Sequence, residues 1–69
     1  MNKTLRSHRL KAHLSIRQLA ALAGINERTV SSAEKGDRIQ DVKAQRIAEA
    51  LSRALNEELT IEALQIEIL

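Results

Sequence analysis

The stretch SIRQLAALAGINERTVSSAEKG, residues 15–36, decides the fold. Two short amphipathic patterns meet there at a break over Gly24, Ile25 and Asn26. Ser15 is a natural N-cap, and Gln18 three residues on completes a capping box. Leu19, Ala20, Leu22 and Ala23 mark one helix, and Gly24 supplies the backbone freedom that a sharp turn needs. Asn26 caps a second helix whose inward face carries Val30 and Ala33. Ala20 is small and stands four residues before Gly24, where two steeply crossing helices come closest.

Such a pair is a helix-turn-helix, whose second helix lies in the major groove of DNA. The flanking sequence extends the helical pattern on both sides. Residues 4–12, TLRSHRLKA, predict a first helix that buries Leu5 and part of Arg9, with Leu10 nearby and Leu14 as an apolar plug. Gly36 is placed to end the third helix in the left-handed conformation, and Ile39 tucks inward behind it. Asp41 is a good cap for a fourth helix, in which Ala44, Ile47, Ala48, Leu51, Ala54 and Leu55 follow helical spacing up to Asn56. Thr60 is expected to cap a short fifth helix, TIEALQ, with Leu59 and Leu64 as a hydrophobic staple. Residues 65–69 alternate apolar and polar, which suits a short strand. An isolated strand needs a partner edge, and a second copy of the chain is one candidate. A disordered or helical tail is the alternative.

Sixty-nine residues make one small domain, 1–69, with the helix-turn-helix at 15–36. The chain has no Phe, Tyr or Trp, so its core must be Leu, Ile, Val and Ala. The absence of Pro and the presence of only two Gly favour an all-α architecture. Zero Cys removes disulfides, zinc-thiolate sites and thiol catalysis. With no membrane-length apolar run and no secretory signal, the expectation is a cytoplasmic protein. His8 and His13 stand five apart, off the facing spacing of a helical metal pair, and Arg9 and Lys11 repel a cation there. No metal or other cofactor is expected. No triad arrangement or Gly-rich phosphate loop appears, which argues against an enzyme. Without aromatics, base stacking on single strands is excluded as the main mode.

The net charge of +2 hides an asymmetry. Residues 1–46 hold ten Lys or Arg against four acids, a balance of +6, whereas residues 47–69 hold Arg53 against five Glu, a balance of −4. A basic front and an acidic back are what a one-sided DNA contact produces, although ordinary solvated surface accounts for them equally well.

The segment QLAALAGINERTVSSAEKG resembles the core of the phage repressor and Cro (Xre) family: Gln-Leu-Ala, a small residue with Gly, an apolar position, and a helix ending in Glu-Lys-Gly. The likeness extends upstream through Leu5, Arg9 and Leu10 and downstream through AQRIAEAL. It implies a compact five-helix, lambda-repressor-like bundle, to which the alternation of residues 65–69 adds a short C-terminal strand. It also implies double-stranded DNA as ligand, transcriptional regulation, and a homodimer formed through the C-terminal region, residues 52–69. The position of Arg9 pairs in the family with the acid at the position of Glu34, a structural tie between the first and third helices. The second helix of the family spans the DNA backbone. Many relatives place Gln just after its cap, where this chain has Ile16.

From these residues the expected interface is specific. Helix three presents Glu27, Arg28, Ser31 and Ser32 outward. Arg28 is the strongest base-contact candidate, since a guanidinium grips the O6 and N7 edge of guanine with two hydrogen bonds. Ser32 occupies a position that often contacts bases in the family. Ser31 is intermediate, and Glu27 either accepts from cytosine N4 or simply complements the positive end of its helix. Ser15, Arg17, Gln18, Lys35, Arg38 and Lys43 are the phosphate candidates. The rival reading is a protein-interaction module, antitoxin-like, that keeps the fold and works through its acidic Leu/Ile-rich end.

Overall fold

Asn2 opens the first helix. Its Oδ1 accepts the Leu5 N–H at 2.9 Å, so α1 runs Lys3–Lys11, one residue earlier than the apolar pattern alone implies. The capping box is formed at the start of α2 (Ile16–Ala23), and Asn26 caps α3 (Glu27–Lys35) by accepting the Arg28 N–H at 2.8 Å. α4 spans Asp41–Leu55. These four helices are described in a computed structural model that covers residues 1–69.

Every helix stops in the same way. His13, Gly24, Gly36 and Asn56 adopt left-handed backbone, with φ of 59°, 68°, 94° and 53°. Each donates its N–H to a carbonyl three residues back, and the following residue donates to one five back, as in Leu14 to Arg9 and Ile25 to Ala20. This is the Schellman closure, which satisfies carbonyls that a helix end leaves free. Gly24 and Gly36 adopt it without a Cβ penalty. His13 carries that penalty, against which stand its own N–H bond to the Leu10 carbonyl and the Leu14 N–H bond to the Arg9 carbonyl.

The expected fifth helix is a single capped turn, so the bundle has four helices. Thr60 Oγ1 accepts the Ala63 N–H at 3.0 Å, and Leu64 donates to the Thr60 carbonyl at 3.1 Å. Gln65 then turns left-handed (φ 57°) and closes the segment as the true helices are closed. The cap and the stop stand too close together for a second turn.

Asp41 is the first residue of α4 and not its cap. Gln40 holds the cap position without a side-chain bond, and the acid still complements the positive helix end. The preceding backbone is committed elsewhere: Ile39 donates to the Glu67 carbonyl and accepts from the Leu69 N–H, both at 3.0 Å. The C-terminal alternation therefore finds its partner edge within its own chain, as one parallel bridge between Ile39 and Ile68.

The core forms where α2 packs on α3 and α4, with α1 laid across α3 and α4. Leu5, Leu19, Val30, Ile47, Leu51 and Leu64 are its fully buried large side chains. Only 17 of 69 residues are buried, so Leu64 and Ile66 from the tail are a substantial share of what holds the domain together. Leu10 lies exposed rather than inside, and Ala50 replaces the exposed Ala54 on the buried side of α4. Ser52 ties the end of α4 to the tail: its Oγ accepts the Leu59 N–H at 3.0 Å and donates to the Ala48 carbonyl at 2.7 Å.

Candidate nucleic-acid interface

The start of α2 is built to leave donors free. Ser15 Oγ accepts the Gln18 N–H at 3.0 Å, and Gln18 Oε1 accepts the Ser15 N–H at 2.9 Å. Both side-chain acceptors are consumed, whereas the Ser15 hydroxyl hydrogen and the Gln18 amide NH₂ are not. The backbone N–H groups of Ile16 and Arg17 find no acceptor in the chain. Four donor groups thus stand at one helix end whose dipole favours an anion. Ser15, Arg17 and Gln18 are all exposed there.

Beside it, Val30 and Ala33 anchor α3 to the core and set the rotation of the helix. Glu27 and Arg28 stand exposed on the first turn, with Ser31 and Ser32 half-buried one turn on. These four and Lys35 line one shallow groove, whose only apolar wall is Ile16. Arg28 has no ion-pair partner in the chain, so its guanidinium keeps its donors. Ile16 is a departure from the family pattern in sequence, yet here it borders the groove that the α3 side chains share. Its half-buried position at the first residue of an amphipathic helix is the signal that assigns it to the groove wall.

The remaining phosphate candidates are not in that groove. Arg38 is exposed in the loop after Gly36, and Lys43 lies half-buried in the first turn of α4. Arg9 and Glu34 lie inside, joined through Arg9 Nε to Glu34 Oε2 at 2.5 Å and Nη2 to Oε1 at 3.1 Å. A third bond, Nη1 to the Leu14 carbonyl at 2.9 Å, ties the same guanidinium to the segment that leads into α2. This network fixes α1, the α2 entrance and the end of α3 relative to one another. It lies outside the groove and holds the helices that border it.

Among known proteins, a family model described as helix-turn-helix matches residues 5–61. No curated protein and no solved structure significantly matches the chain. The matched span takes in nearly all of α1, the whole of α2, α3 and α4, and the chain as far as Ile61. On the capped α2, the left-handed turn at Gly24, the outward face of α3 and this match, the chain belongs to the Cro/Xre-type helix-turn-helix family of DNA-binding regulatory domains.

Proposed function

We propose that this chain is a transcriptional repressor that binds a specific double-stranded operator as a symmetric homodimer. The observation that carries the reading is the shared groove: an unpaired Arg28 beside Ser31 and Ser32, next to a helix start with free N–H groups. Arg28 reads guanine, Ser32 and Ser31 make short contacts that tolerate more than one base, and Glu27 biases its end of the site toward cytosine. Ser15, Arg17 and Gln18 hold one phosphate, while Lys35 at the end of the groove, with Arg38 and Lys43 beyond the end of α3, follows the backbone. Two copies place their α3 helices in successive major grooves about 34 Å apart. Repression follows from occupancy of a promoter, and the domain works without catalysis or a cofactor. No helix is long and apolar enough to cross a membrane, and the proposed site of action is the cytoplasm.

The test is selection from a random duplex pool, followed by fluorescence anisotropy on selected and random DNA with salt titrated. A dimer touching about six to eight phosphates gives log K falling with log salt at about −0.9 per phosphate. Selected DNA binds far tighter than random DNA if the reading is right. Weak, sequence-blind binding at moderate salt returns the chain to the rival reading, a protein-interaction module using its acidic end.

A further inference from the structure

Outside the chain termini, Val42 and Leu22 are the most exposed large aliphatic residues, at 61% and 60%. They border the same groove, which runs between the end of α2 and the outer face of α4 and ends at Ile61. The groove shares no residue with the one that gathers Arg28, Ser31 and Ser32. Along α4, Val42, Arg46, Glu49 and Arg53 recur at i, i+4, i+7 and i+11, so they form one stripe on the groove side. Glu49 and Arg53 have the spacing that favours an intrahelical ion pair. None of Arg46, Glu49 and Arg53 has an ion-pair partner in its own chain.

The geometry points to this groove as the surface on which a second copy of the chain docks, α4 against α4 in antiparallel register. The inference rests on the dimeric reading above and gives it a surface. Reversed about the point between Ile47 and Ala48, the stripe matches itself. Arg46 faces Glu49 of the second copy, and the two-fold axis repeats that pair. Val42 faces Arg53 of the second copy, whose aliphatic stem covers it while the guanidinium stays wet. Opposite charges meet opposite charges only in the antiparallel arrangement, which is the self-complementarity that a two-fold interface requires. Of residues 52–69, Arg53, Ala54 and Ile61 reach this groove. Leu64 and Ile66 are buried in the chain's own core, and Ile68 is bridged to Ile39. The apolar end of the chain is thus largely spent within the protomer, and two of the three large aliphatic side chains that the helices leave exposed, Leu22 and Val42, border the α2/α4 groove while Leu10 lies outside it.

Sedimentation velocity on the full chain tests this, with Arg46→Glu, Glu49→Arg and the double swap R46E/E49R, each checked for helicity by circular dichroism. Each single variant places like charges across the two-fold axis and is expected to raise the dimer dissociation constant at least about tenfold. The double swap restores the opposite pairs and is expected to return it close to the wild-type value. If the wild type dimerises and neither single change weakens it, or the double swap is worse than both singles, the groove is not the interface, although the dimeric reading stands. A wild type that is monomeric both free and on selected DNA overturns the groove and the dimer together.

Discussion

Arg9 grips both carboxylate oxygens of Glu34, and the pair lies 8% and 7% exposed between the first and third helices. Its strength is conditional. Two charges removed from water cost several kcal/mol to desolvate, and their mutual attraction repays this only while both are present.

Glu34→Ala is therefore expected to destabilise the domain by about 3–5 kcal/mol, because the stranded guanidinium bears the whole penalty. A chain of this length has a total stability of only roughly 3–10 kcal/mol, so the loss takes a large share of it. Arg9→Met combined with Glu34→Leu recovers most of the loss. Urea denaturation followed by circular dichroism checks both, and a double variant no more stable than Glu34→Ala contradicts the account.

Asn2 ties the two ends of the chain together. While Oδ1 caps α1, Nδ2 donates to the carbonyls of Leu64 and Gln65 at 2.9 and 3.0 Å. Asn2→Ala loses the cap, worth about 1 kcal/mol, and also leaves two tail carbonyls without a donor. Asn2→Asp keeps the cap but replaces the donors with a carboxylate oxygen that is repelled by both tail carbonyls. Amide exchange of residues 64–69 is expected to speed up in both variants, whereas α1 loses protection chiefly in Asn2→Ala. Unchanged tail exchange in Asn2→Asp argues that the clasp is unimportant.

Ile66 fills the core from a segment without helix or sheet. Its truncation in Ile66→Ala is expected to cost about 2–4 kcal/mol, as for a buried aliphatic residue in a regular element. Ile68→Ala, at a half-buried position, costs less. Thermal melts of the two variants should therefore differ, and equal, negligible shifts would show that the tail is dispensable.

Arg28 and Lys35 border one groove but are assigned different jobs. Arg28→Ala is expected to cost about 1–3 kcal/mol on the selected operator and to relax preference at one base pair. Lys35→Ala weakens binding to all sequences alike and lowers the salt slope by about one phosphate per subunit. Anisotropy on selected and random duplexes separates them. A uniform loss for Arg28→Ala would make it a phosphate contact.

What could be read before any coordinates was local. The Ser15–Gln18 box, the left-handed stops at Gly24, Gly36 and Asn56, and the inward Val30 and Ala33 each depend on residues within one or two turns of one another. Residue type and spacing therefore suffice to place the helix-turn-helix and the outward set from Glu27 to Lys35. The Asn2 cap is not legible in the sequence, because α1 buries only Leu5 and Arg9 and has no periodic apolar run to mark its start.

Tertiary structure decided what depends on distant partners. The tail from Gln65 to Leu69 has a strand-like alternation that is silent about which edge receives it, and it pairs with Ile39, far away in sequence. That choice also starts α4 after Gln40 rather than on an Asp41 cap. Local hydrogen bonding and helical periodicity are short-range and are written in neighbouring residues. Burial and edge pairing are set by how the whole chain packs, and only the folded molecule specifies them.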